Sequence, residues 1–247
     1  MTHETIDGTF RQTNLKNESD DYLGKREQLR LAEIELMKPR QRVAEIRRAL
    51  PQGAAITDYE FLEGPRTLDA GDAPIRKVKV KVKVKIGELF SAPERPLVIY
   101  QLMFGKKQTK PCPMCTLWID GHNGVAHHIA QNLDFAIVAA AEPILLRGYA
   151  RQSGWHNLRL LSGGESSFKY DLGGDQEGGQ GSSLNVFTKN ADGTVRHFYT
   201  QPPRLAQDIN ERGIDLLTPV FNLMDITSRG RGNWYPNLGY GSKVHAQ

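Results

Sequence analysis

With 247 residues, 39% of them apolar, the chain is long enough to bury a sizeable core. Its net charge of +4, from 32 basic and 28 acidic residues, is too slight an excess to argue for nucleic acid. A total of two cysteines excludes a disulfide-stapled scaffold. No run approaches the roughly 18 uninterrupted apolar residues that span a bilayer. The start, MTHETIDGTFRQ, has no apolar stretch flanked by positive charge and so does not read as a signal peptide. The expectation is a soluble, cytoplasmic protein with neither a membrane nor a nucleic-acid partner.

Residues 1–20 are polar and read as a tail. From Asp21 to about Leu50 the pattern is helical, with Leu29, Ile34, Leu36, Val43 and Ile46 spaced for one face. Pro39 is expected to kink or split this helix and Pro51 to stop it. The interleaved glutamates favour a solvated arm over 21–52 rather than a basic membrane-binding surface. In RKVKVKVKVKI (76–86) lysines alternate with Val78, Val80, Val82, Val84 and Ile86, as a strand with all its charge on one face would require. No aromatic residue is interleaved for base stacking, so an outer strand guarded by lysines is the better reading.

PLVIYQLMF (96–104) and DFAIVAAA (134–141) are continuous apolar runs suited to buried central strands. A helical stretch separates them, running toward Leu133. Pro143 fits the first position of the next helix, which SGW (153–155) ends. GGDQEGGQGSS (173–183) lacks the setting of a phosphate loop and is expected to be a mobile surface loop. LNVFTK (184–189) and TVRHFYT (194–200) form a hairpin turning at Asp192-Gly193. A last helix is expected around Asp208 to Leu217. Trp118 and Trp155 are read as core residues. In SRGRGNWYP (228–236), Arg229, Arg231 and Trp234 are candidates for a substrate surface, none of them catalytic.

Cys112 and Cys115 are the only cysteines, two residues apart, after a buried strand and before a helix. A thiol reacts as thiolate, and a helix N-terminus supplies partial positive charge and unpaired N–H groups. With Pro113 at the first helical position, Cys112 caps the helix and Cys115 falls one turn later on the same side, within reach of a mixed disulfide on Cys112. Zinc is the competing use. Twelve residues separate Cys115 from His128, as in a zinc finger, but no fourth ligand follows. Buried apolar cysteines would better suit a helix interior. The redox pair is preferred, with no metal and no cofactor.

The chain also resembles a bacterial family of thioredoxin-like proteins of uncertain function, described as predicted dithiol-disulfide oxidoreductases. The resemblance rests on RRALP (47–51), GELF (87–90), MFGKKQTKPCPMCTLWIDG (103–121), SGW (153–155) and RGIDLLTPVFNLMDIT (212–227). It implies an α/β thioredoxin-like fold, a central mixed sheet flanked by helices, with Cys112 and Cys115 as the redox pair. A distant likeness to peroxiredoxins adds Thr109, which matches the threonine that contacts the peroxidatic cysteine there. Gly105 replaces the proline of that motif, and SSLNVF lacks its arginine. Where thioredoxins place a cis-proline, Ser183 or Leu184 stands. Thr109, Pro113 and Ser183 are therefore the candidate substrate-facing residues.

The expected organisation is a tail (1–20), a helical arm (21–52) and a thioredoxin-like domain (53–247). The expected activity is thiol-disulfide exchange, with Cys112 as nucleophile and Cys115 as resolving thiol. Its partner would be a disulfide-containing protein or a small-molecule thiol or peroxide. Peroxide reduction by the same pair and a redox-sensing module that never turns over are the alternatives.

Overall fold

The computed structural model describes residues 15–69, 82–176, 179–207 and 213–239. The chain divides into two compact units, Met1–Pro51 and Gln52–Gln247. The first holds helix α1 (Asp20–Arg48), whose N-cap Ser19 accepts from the Tyr22 N–H at 3.2 Å. Asp20 and Asp21 in its first turn and Arg47 and Arg48 in its last complement the helix dipole. Pro39 does not split it. The proline removes one N–H, but the carbonyl it frees is that of Glu35, an exposed residue, where water can replace the lost donor. No residue of α1 is buried, the predicted apolar face included.

The second unit runs β1 (Glu60–Glu63), β2 (Val82–Lys85), β3 (Leu97–Leu102), α2 (Pro113–Gly124), α3 (Ala126–Asn132), β4 (Asp134–Ala139), α4 (Pro143–Ser153) and β5 (Arg159–Ser162). It continues with α5 (Phe168–Asp171), β6 (Asp175–Gln176), β7 (Gly179–Gln180), β8 (Leu184–Lys189), β9 (Val195–Gln201) and α6 (Pro219–Asp225). Seven strands form one sheet in the order β2-β1-β5-β4-β3-β8-β9. β3 pairs parallel with β4 and antiparallel with β8, which pairs antiparallel with β9. Strand, helix, parallel strand, helix, then an antiparallel hairpin and a closing helix is the thioredoxin-like topology. β1, β2 and β5 extend its far edge.

Alternation along the strands sorts the core onto the two faces of the sheet. Tyr100, Leu102, Ile137 and Ala139 pack with Trp118, Leu146 and Trp155, under α2 and α4. Leu97, Ile99, Ala136 and Val138 pack with Phe61, Phe168 and Phe187 on the other. Trp155 is fully buried and its indole N–H donates to Asp120 at 2.7 Å, tying the end of α4 to α2. Pro143 opens α4 and Gly154, in the left-handed region at φ 72°, ends it.

β2 is the outermost strand, with Lys83 paired to Glu60 at 2.8 Å and Lys85 to Asp58 at 3.0 Å. Lys79 and Lys81 lie outside the described residues. Two expectations are corrected. The glycine-rich stretch is not simply a surface loop: β6 and β7 pair within it, and Ser182 and Ser183 at its end are buried. Its glycines permit close packing, since a Cβ on Gly174 would sit 1.9 Å from Gln101 Oε1. The last helix is α6, beginning where Pro219 supplies the first position, and only a short 3-10 turn covers Asp215–Leu217. Residues 208–212 lie outside the described residues.

Candidate active site

β3 runs out at Leu102 and the chain loops to Cys112, whose N–H returns to the Met103 carbonyl at 3.0 Å. That bond sets Cys112 at the end of the sheet as N-cap of α2, with extended backbone (φ −62°, ψ 127°) and Pro113 at the first helical position. Cys112 is half-buried and Cys115 buried, and both thiols are free. The Cys112 carbonyl accepts from Thr116 twice, backbone N–H at 3.0 Å and hydroxyl at 3.2 Å, which closes the first turn.

The two sulfurs have opposite environments. Cys112 is held down at about 5, first because the Cys115 thiol hydrogen-bonds to its sulfur, then through the backbone N–H groups of Cys115 and Met114. Burial opposes this, and the Tyr235 hydroxyl adds a smaller favourable contribution. The two backbone N–H groups face the sulfur electrostatically without closing a capping hydrogen bond. This lies inside the range of about 3.5–7.5 that helix N-termini and Cys-x-x-Cys pairs produce. Cys115 is pushed well above the ordinary thiol range by the same bond to Cys112, by burial, and by the neighbouring negative charge. The first proton to leave the pair is therefore the one on Cys112.

Beneath Cys115 lies Tyr100, fully buried, its ring 6.0 Å from that of Trp118. Burial and the nearby Cys115 sulfur keep its hydroxyl protonated. The hydroxyl lies beside Cys115 and Ser182, though neither meets it at full hydrogen-bond geometry. The Met103 N–H acts on the Cys115 sulfur from the sheet side.

Ser183 stands just before β8, the position noted above for its missing proline. Its hydroxyl accepts from Gln101 Nε2 at 3.2 Å and Asn185 Nδ2 at 3.0 Å, and its carbonyl accepts from the Gln101 N–H at 2.9 Å. It is thus part of a buried polar network, and its neighbour Ser182 lies beside the Tyr100 hydroxyl. Pro113 lines a cavity of about 310 Å³ with Thr116, Asp120, Trp234 and Pro236. Thr109 lies exposed on the preceding loop and makes no hydrogen bond to Cys112 among the described residues.

The tail reaches the pair through an anchor. Arg231 bridges Asp225 at 2.6 Å and buried Asp215 at 2.9 Å, with its guanidinium 4.7 Å from the Phe221 ring centre. Trp234 packs edge-on to Phe221 at 6.2 Å, and Tyr235 follows onto Cys112. Arg231 and Trp234 hold the tail in place, and Arg229 is exposed. Sequence reasoning missed Tyr235 and Tyr100. Tyr235 carried a signal in its place beside Trp234, whereas Tyr100 is unmarked within an apolar run. No three His, Cys, Asp or Glu side chains come together as a metal site among the described residues, and His128 is exposed on α3.

The seven-stranded mixed sheet and its flanking helices define a thioredoxin-like fold. Residues 12–243 match the family described as bacterial protein of unknown function (DUF899), and the chain belongs to it. No functionally curated protein matches it. Among solved structures it is similar to reduced Prx3 from Vibrio vulnificus in complex with hydrogen peroxide, at 14% identity and TM-score 0.46, covering 68% of this chain and 97% of that one. It is similar to the 1-Cys peroxiredoxin antioxidant protein of Plasmodium falciparum at 14% identity and TM-score 0.47, covering 71% and 97%. A peroxiredoxin Q variant from Xylella fastidiosa aligns at 12% identity and TM-score 0.41, covering 61% and 84%. No helix among the described residues is long and apolar enough to cross a membrane.

Proposed function

We propose that this protein is a thiol-disulfide oxidoreductase. The observation that carries the reading is the asymmetry of the pair, a half-exposed Cys112 held at about 5 above a buried Cys115 held well above its ordinary range. The Cys112 thiolate attacks a substrate disulfide, one S–S bond forming to Cys112 as the other sulfur leaves with the electron pair. Deprotonated Cys115 then attacks Cys112, forming the Cys112–Cys115 disulfide and expelling the second substrate thiolate. Two electrons pass from the pair to the substrate.

The low value acts on the first step, through the population of attacking thiolate. Lowering Cys112 from 9.0 to about 5 raises its thiolate fraction at pH 7 from about 1% to about 99%. Intrinsic nucleophilicity falls with a slope near 0.4–0.5, losing on the order of 50-fold, so attack gains only about twofold. In the resolving step the leaving group is the substrate thiolate, so the low value gives Cys112 no leaving-group advantage there.

The test uses both single variants with a reactive aromatic disulfide. Cys112→Ser is expected to abolish exchange, and Cys115→Ser to attack once and trap a mixed disulfide at Cys112, read by mass spectrometry of the intact chain. A Cys115→Ser protein that traps nothing overturns the reading. A parallel assay with a hydroperoxide separates peroxide reduction, in which Cys112 passes through a sulfenic acid. Inactivity toward both, with partner binding that changes on oxidation, would instead mark a sensing module.

A further inference from the structure

The resolving step needs Cys115 without its proton, yet its surroundings hold that proton tightly. One peptide group beside it has a second charged neighbour. The Leu102–Met103 peptide presents its N–H to the Cys115 sulfur. Its carbonyl accepts from Lys169 Nζ at 3.2 Å and from the Phe104 N–H at 3.0 Å. A cation on the oxygen side polarises the amide and strengthens the N–H as a donor to the sulfur.

Lys169 is 2% exposed, an expensive place for an ammonium group. It is held there because Phe168, its neighbour on α5, is fixed by edge contacts with Tyr59 and Phe61 at 5.3 and 5.1 Å. Burial lowers Lys169 to about 8, opposed by the charges of Cys115 and Asp175. At pH 7 it is still mostly protonated. It lines a cavity of about 400 Å³ with Lys106, Lys107, Ser166, Asp175 and Gln180. The charged or titratable groups facing it are thus Cys115, Asp175, Lys106 and Lys107, with Tyr100 neutral on the far side of Cys115.

We propose that Lys169 is a positioning residue for the resolving thiol, stabilising the Cys115 thiolate through the Leu102–Met103 peptide. The proton leaves Cys115 for solvent water. The Cys115 electron pair forms the bond to Cys112, and the Cys112–substrate bond breaks with its pair on the substrate sulfur. Lys169 forms and breaks no bond in this step. This role rests on the exchange reading above, but the effect on Cys115 does not depend on any substrate.

The first measurement therefore needs none. In the full chain carrying Cys112→Ser, ultraviolet thiolate absorbance followed upward in pH titrates Cys115. Adding Lys169→Met is expected to move that titration up by about one unit, tenfold less thiolate at a given pH, and Lys169→Arg to restore most of it. The second measurement is release of product thiol from a mixed disulfide formed on Cys112 with an aromatic disulfide. Capture by Cys112 keeps its parent rate. Release slows about threefold, since a tenfold thiolate loss is partly offset by greater nucleophilicity, and its pH profile shifts upward. A Cys115 titration in Lys169→Met that superimposes on the parent overturns the proposal. So does a titration of Lys169→Arg displaced as far as that of Lys169→Met. If the parent captures no disulfide, the exchange reading fails while the Cys115 titration still decides Lys169. Should Lys169→Met not fold by circular dichroism, Lys169→Gln carries the same two measurements.

Discussion

The two ends of α2 carry titratable side chains that are both shifted downward, and for opposite reasons. At the N-terminus Cys112 is lowered because its charged form is stabilised by the Cys115 thiol, the backbone N–H groups and Tyr235. Near the C-terminus His122 is lowered to about 4 because burial disfavours its charged form. Its ring lies 5.1 Å from that of Phe135, and Nε2 has no hydrogen-bond partner among the described residues. A helix C-terminus ordinarily favours a protonated histidine, by about 0.3–1 kcal/mol, and here desolvation outweighs it. One end is therefore arranged for a charge within reach of solvent, and the other is packing. The direction of a shift does not distinguish them; its cause does.

The comparison breaks most visibly in thiol reactivity. At pH 6 Cys112 is about 90% thiolate, while Cys115, even at an ordinary 9.0, is about 0.1%. Allowing for the lower nucleophilicity of the more acidic thiol, alkylation by iodoacetamide favours Cys112 by at least about tenfold. Burial of Cys115 widens the gap. The Cys112 rate should reach half its plateau near pH 5, read by peptide mass spectrometry. Equal labelling of the two cysteines at pH 6 would remove the asymmetry on which the functional reading stands.

At the other end the effect is on stability. His122 binds a proton in the unfolded chain below about 6.5 but in the folded chain only below about 4. Between those values the unfolded state holds more protons, so stability falls as pH falls and is flat above about pH 7. The full window amounts to at most about 3 kcal/mol. Urea unfolding of the parent and His122→Phe between pH 4 and pH 7 isolates it: the variant loses this part of the acid sensitivity. Parallel pH curves for the two proteins would show that His122 is not desolvated as described.

What could be read from the sequence was what is encoded locally. β3 and β4 are apolar runs, Pro143 and Gly154 bound α4, Gly193 turns the hairpin, and the cysteine spacing with Pro113 puts the pair on a helix N-terminus. The residues around that site were not legible, because what brings them there is the sheet rather than the chain nearby. Tyr100 is one apolar-run residue among several until β3 aims its hydroxyl at Cys115. Lys169 looks like any surface lysine until Phe168 anchors α5. β1 and β5, four residues each and flanked by charge, have too little pattern to stand out. Their charged residues are matched only across strands, as when Arg159 pairs with Glu63 at 2.9 Å.

The smallest expected effect tests the tail. The Tyr235 hydroxyl is the last of the contributions that lower Cys112, behind the Cys115 thiol and two backbone N–H groups. Tyr235 is itself 57% exposed, so water can replace much of what its hydroxyl supplies. Tyr235→Phe removes one donor and leaves the Arg231 anchor to Asp225 and Asp215 in place. The Cys112 alkylation midpoint should therefore rise by well under one unit, with its plateau rate and the protein's stability unchanged. Arg231→Ala, which releases the anchor, should raise the midpoint at least as far, because Tyr235 reaches Cys112 only from a tail held against α6. If Tyr235→Phe moves the midpoint and Arg231→Ala does not, the tail is held by something other than that anchor. If neither moves it, Cys112 is set by α2 and Cys115 alone, and the difference between the two ends of α2 is complete without the tail.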